Sequence, residues 1–290
     1  MKRHNKGNSA SGVFLALLIT ALFLGLSVAQ VFAGESMVEV YDLDDLDGFA
    51  VSVAGVMSPA VVQAMTTQGV PEDIIVTAKA IADDSFSAGE LQSRIREALM
   101  MGLTDEHVGN ILAWRKTALG NLLNEAENQH NSATYYDDLR AYSTSSELYS
   151  VSDARRLMVT ELYSSMSAIE QSVEMIVNAN YAMALATAIT NGEDTPDEKT
   201  MRKVYEGIAE SRDQIMIGVR GRMLVTGLYV YRTISDEDLA SYMDFNMTEA
   251  GARYNQILFS TVDRWLFDST KRFGFRFGQA LRKINAQQPA

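Results

Sequence analysis

Apolar residues return along this chain at intervals of three, four and seven. Met158, Leu162, Ile169, Val173, Ile176 and Met183 form one such series, and Tyr254, Leu258, Val262, Trp265, Phe273, Phe277 and Leu281 form another, with the small Ser269 in step. That period puts one apolar stripe on a helix, whereas a half-buried strand needs strict alternation. Helices are predicted over 59–68, 72–83, 88–101, 105–116, 118–145, 153–190, 197–232, 236–246 and 249–284. Side-chain acceptors stand ahead of these runs: Ser58 before Pro59, Ser87 three residues before Glu90, Thr104, Ser152 with Asp153, Thr195 before Pro196, and Ser235. The prolines Pro59, Pro71, Pro196 and Pro289 fall at helix starts or the chain end, so none breaks a helix interior. The expected fold is all-α, a multi-helix bundle. Breaks are expected at 192–194 and 144–151, the second dividing two loosely similar helical halves, 58–150 and 151–285, ahead of a tail at 286–290.

One pattern occurs twice, offset by 131 residues: LTDEHVGNILAWRKTALG over 103–120 and ISDEDLASYMDFNMTEAG over 234–251. Extended to 124 and 255, the copies share Asp105/Asp236, Glu106/Glu237, Thr117/Thr248, Gly120/Gly251 and Asn124/Asn255. Each position has a structural role. Thr104 or Ser235 caps a helix, and the two acids that follow face its positive end, worth about 0.3–1 kcal/mol each at a surface. Val108, Ile111, Leu112 and Trp114 span an apolar arc of about 160°, and Leu239, Tyr242, Met243 and Phe245 repeat it. Thr117 or Thr248 then caps a second helix, three residues before a glycine. A glycine within a helix costs about 1 kcal/mol relative to alanine, so a close helix–helix corner is the expected reason for it.

The aromatic-x-x-Thr-x-x-Gly pattern behind a capped acidic helix start, Trp114 to Gly120 and Phe245 to Gly251, resembles a bacterial family of secreted helical proteins known only as a domain of unknown function. In that family the corner reads Phe/Trp-Tyr and then Ser/Thr-Pro-x-Gly; here the aromatic, the hydroxyl and the glycine match, while the second aromatic and the proline are absent. The resemblance implies an all-helical cell-envelope protein and supplies no reaction, cofactor or catalytic residue.

The amino terminus adds a compartment. Met1, Lys2, Arg3 and Lys6 precede an almost unbroken apolar run over 13–33 that ends Val31-Phe32-Ala33. Basic, apolar and small-residue regions in that order read as a secretory signal peptide over 1–33, cleaved after Ala33, and hence as a periplasmic protein. The alternative is an uncleaved helix anchoring the chain to the inner membrane, since the run is long enough to span one. Removing 1–33 takes away three bases and no acid, deepening the net charge from −12 to −15. Such a chain repels nucleic acid on average. The absence of cysteine excludes thiol catalysis, thiolate metal sites and lipid attachment at cysteine. Residues 34–57, with six acids and no base, are expected to be a mobile acidic linker in which 49–57 is the stretch able to dock.

The search for chemistry is mostly negative. Asp42, Asp44, Asp45 and Asp47 suggest a calcium loop, but a required ligand position falls on Leu46 or Leu43 and a twelfth-position Glu is absent. Glu127-x-x-His130 has the spacing of a di-iron helix in one copy only, and a polar helix face carrying Glu125, Glu127 and His130 is the expected explanation. The fourteen methionines after Met1 are core filler. No metal, cofactor or catalytic residue is predicted.

The feature that departs from composition is KRFGFRFGQALRK over 271–283, with five bases, three phenylalanines and no acid. Phe273 and Phe277 continue the apolar stripe. Lys271, Arg272, Phe275, Arg276, Arg282 and Lys283 are the candidate binding residues, for an acidic envelope protein, an anionic membrane or the chain's own acidic linker. Phe275 lies off the stripe and is expected to be exposed. The functional expectation is a soluble, non-catalytic periplasmic protein that binds a partner through this tail or an apolar ligand between helices. The alternatives are an envelope hydrolase using a carboxylate pair and a structural, self-associating component.

Overall fold

A computed structural model describes residues 40–41, 44–67, 69–127, 134–190 and 198–287. They are helical, with no strand among the described residues, and the all-α bundle is what the apolar period requires. The helices are α1 (Leu46–Gly55), α2 (Met57–Thr67), α3 (Glu72–Ser85), α4 (Ala88–Gly102), α5 (Asp105–Arg115), α6 (Ala118–Glu127), α7 (Tyr135–Ser143), α8 (Ser146–Ser150), α9 (Asp153–Ser165), α10 (Ala168–Thr190), α11 (Glu198–Ala209), α12 (Arg212–Val230), α13 (Asp236–Met247) and α14 (Glu249–Gln287).

The 39-residue α14 is the spine, about 58 Å long at 1.5 Å per residue. It lies along α10 and also against α3, α4 and α5, so one continuous core crosses residue 150. Trp265, at 0% exposure, and Phe273 anchor it, with Phe86 edge-on to the indole. Most predicted caps form: Ser87, Thr104, Ser152 and Ser235 each accept the backbone N–H three residues on, and Ser145, which was not predicted, does the same. The reciprocal capping box forms at Thr104, whose N–H is received by His107 Nδ1. Ser58 is not a cap, because α2 starts at Met57 and buries it.

The helix expected over 153–190 breaks at 166–167, where Ser167 takes φ 55°. The apolar period runs through this break and conceals it, but Ser164 and Ser165 donate to the carbonyls of Thr160 and Leu162. Serine hydroxyls that compete for helix carbonyls loosen a helix end. The helix expected over 197–232 likewise divides at 210–211, between α11 and α12.

The 34–57 segment departs from the expected linker at its described residues ahead of Phe49, whereas the 49–57 stretch, expected to be able to dock, does reach the core. Where it is described it is not a mobile linker: Val40 and Tyr41 are buried, and α1 places Leu46, Phe49, Ala50, Val53 and Ala54 in the core. Those residues have the i, i+3, i+4, i+7 spacing of an amphipathic helix, a pattern that the density of acids around it masks. Residues 46–67 form the one stretch among those described that is long and apolar enough to cross a membrane, and about half of it is buried in this core. The segment 1–33 expected to be a signal peptide, the break expected at 192–194, His130 and the tail end 288–290 lie outside the described residues.

Candidate functional site

Both repeated corners are built alike. Thr117 Oγ1 accepts the N–H of Gly120 and donates to the carbonyl of Trp114; Thr248 Oγ1 accepts from Gly251 and donates to Phe245. A Cβ on Gly120 would sit 2.6 Å from the Trp114 carbonyl oxygen, and one on Gly251 2.3 Å from that of Phe245. Hydrogen there is what lets the second helix start against the end of the first.

Where the corners meet, the chain buries a polar cluster. Asp44, at 0% exposure, accepts from Arg115 Nη2 at 3.1 Å and from the Tyr254 hydroxyl. Glu127 Oε1 accepts from Tyr231 at 2.6 Å and Tyr242 at 3.1 Å. Burial raises all three tyrosines well above their ordinary range. Burial also pushes the Glu127 carboxyl up to about 7, against the opposing pull of Arg115 and its two tyrosine donors. For Arg115, burial works against the charge, yet Asp44 and the surrounding oxygens more than offset it, so the guanidinium stays charged. Asp44 Oδ1 and Arg115 Nε and Nη1 have no hydrogen-bond partner among the described residues.

Glu127 is therefore not part of a polar surface face, and Asp44 belongs to neither a linker nor a calcium loop; each is buried because tyrosine or arginine donors meet it there. Among the described residues no group of three or more His, Asp or Glu is placed to hold a metal ion. A signal for the cluster does exist in the repeat. Extending its 131-residue offset pairs Ile111 with Tyr242, Leu123 with Tyr254 and Glu127 with Leu258. At each pair, one copy puts a polar group where the other puts a core aliphatic. Glu127 thus occupies a core position of its helix.

The predicted site residues at the end of α14 are only partly brought together. Lys271, Arg272 and Phe275 line a hollow of about 440 Å³ with Asp268. Phe275 is 42% exposed, while Phe273 and Phe277 stack on each other in the core at 5.5 Å. Arg272 is turned to the protein's own groups, the carboxylate of Glu90 at 2.5 Å and the carbonyl of Ser85 at 3.0 Å. Arg276 pairs with Asp84. The intramolecular acids that receive these bases thus come from α3 and α4 and not from the 34–57 segment. Arg282, half-buried, and the exposed Lys283 lie about two turns further on. What faces outward around Phe275 is an aromatic ring beside a single lysine, flanked by neutralised pairs.

No protein-family model, no curated protein and no solved structure matches the chain.

Proposed function

We propose that the protein is an exported, non-catalytic component of the cell envelope that binds a partner protein through the exposed side of α14 around Lys271 and Phe275. The carrying observation is the contrast within 271–283: two of its three phenylalanines fill the core, and the third stands at a hollow beside an exposed lysine. An exposed aromatic beside a cation is a frequent anchor at protein interfaces. The anionic-membrane reading has weaker support. A base near an anionic membrane is worth about 1 kcal/mol, and Arg272 and Arg276 already face Glu90 and Asp84. The corner residues add only a partial resemblance to a secreted helical family, and the basic-apolar amino terminus supports export.

Hydrolysis by a carboxylate pair is less well supported, because the two acids brought into one cluster, Asp44 and Glu127, are 0% and 4% exposed. A hydrolytic site has to admit both water and substrate.

Replacing Phe275 in the cell with a photoreactive benzoylphenylalanine tests the proposal. The expected result is a discrete crosslinked adduct at 275 that is lost with Lys271→Glu and is not formed from position 149, a tyrosine 76% exposed elsewhere. No adduct at 275, or the same adducts from both positions, would sink it. Co-sedimentation with phosphatidylglycerol vesicles at low salt, if lost in Phe275→Ala, would transfer the role to the membrane.

A further inference from the structure

A second surface of α14 lies about three to six turns ahead of Phe275. There α4 runs antiparallel to α14, with Arg94 reaching Asp268 at one end and Gly102 receiving Arg253 at the other. Between them is a groove of about 630 Å³. From Arg253 to Arg264 it follows about 16 Å of α14 at 1.5 Å per residue. A Cβ on Gly102 would come within 2.6 Å of Ile257 Cδ1, so the end of α4 closes tightly on α14 and leaves an apolar floor at Ile257 and Ala98.

The charge of this groove runs against that of the chain. The protein carries −12 overall, yet the groove is lined by Arg94, Arg253 and Arg264 with Glu97 as its one acid. Arg94 pairs with Glu90 and Asp268, and Arg253 bonds Gly102 and Gln256. Arg264 is exposed and makes no hydrogen bond or ion pair with any described residue. Beside it Met101 is 75% exposed at the rim, with Met100 at 63% on the same turn. Exposed methionines are flexible and polarisable and adapt to varied apolar side chains.

We propose that this groove is a docking site for an acidic, amphipathic peptide segment of a partner protein. The carboxylates would meet Arg264 and Arg253, and the apolar side chains would meet Met101 and Ile257. Charge complementarity selects the acid, since a cationic cleft in an acidic protein focuses anionic ligands locally. The lining contains no aromatic ring on which a sugar or a nucleobase would stack, and a concave groove of this length does not suit a flat bilayer. The proposal rests on the reading of the protein as a binder but uses other residues than the Phe275 hollow.

Fluorescence anisotropy with a fluorescein-labelled dodecapeptide of leucine and glutamate in amphipathic order tests it, against a scrambled peptide of the same composition. The amphipathic peptide is expected to bind more tightly than the scrambled one, and less tightly as salt rises. Arg264→Glu and Met101→Asp should each raise its Kd tenfold or more. Phe275→Ala and Arg220→Glu, the latter exposed on α12, should leave it unchanged. No binding, equal binding of the two peptides, or equal Kd in all four variants overturns the proposal. So does loss of heparin or phosphatidylglycerol-vesicle binding in the groove variants when the peptide itself does not bind. A crosslink at position 275 alongside a failed peptide assay would leave the broader binding role standing.

Discussion

Trp114 and Phe245 stack nearly parallel, their ring centroids 4.8 Å apart and their planes 6° from coplanar, and they are the same position of the two repeated corners. Each ring closes on the other copy of the corner, and Tyr242 extends the stack on Trp114 at 6.4 Å. A double-mutant cycle with Trp114→Leu and Phe245→Leu should give a coupling energy of about 0.5–1.5 kcal/mol. Additive losses would mean that the rings only fill volume.

The glycines carry the corners. Gly251→Ala should destabilise by about 1–3 kcal/mol, because the new methyl meets a backbone oxygen that cannot rotate away. Thr248→Ala, which removes only the cap, should cost about 1 kcal/mol. Urea unfolding of both variants checks the order, and a Gly251→Ala protein as stable as the parent would remove the close approach from the account.

Asp44 ties the start of α1 into the core. Asp44→Leu leaves the Arg115 guanidinium buried without its carboxylate and should cost about 3–5 kcal/mol. Asp44→Leu with Arg115→Met should recover much of that loss, since an apolar pair of similar volume needs no charge partner. A mobile linker would tolerate Asp44→Leu unchanged, so thermal melts of the single and double variants separate the two descriptions.

Glu127 makes stability depend on pH with a definite sign. Its folded carboxyl titrates near 7 against 4.5 for the ordinary group. Between those values the folded chain holds a proton that the unfolded chain has released. The contribution is therefore full below about 4.5 and is lost as pH rises through about 7, with an upper bound of about 3 kcal/mol. Glu127→Gln keeps an oxygen for Tyr231 and Tyr242 without titrating. Its stability relative to the parent should rise by about 2–3 kcal/mol between pH 5 and pH 8. Parallel stability curves for the two proteins would show that Glu127 does not hold that proton.

What could be read from residues alone was local. The helical period, the hydroxyls that cap α4, α5, α9 and α13, and the threonine and glycine of both corners involve groups within four positions of one another. So did the inward turn of Phe273 and Phe277 and the exposure of Phe275. The tertiary structure decided which charges are sites and which are partners. Arg272 and Arg276 looked like a cationic surface until α3 and α4 brought Glu90 and Asp84 to them from more than 180 positions away. Asp44 and Glu127 looked like ordinary acids until Arg115, Tyr231, Tyr242 and Tyr254 enclosed them. A helix needs only its neighbours in sequence, but the free energy of a buried charge is set by whichever distant donors the folded chain places around it.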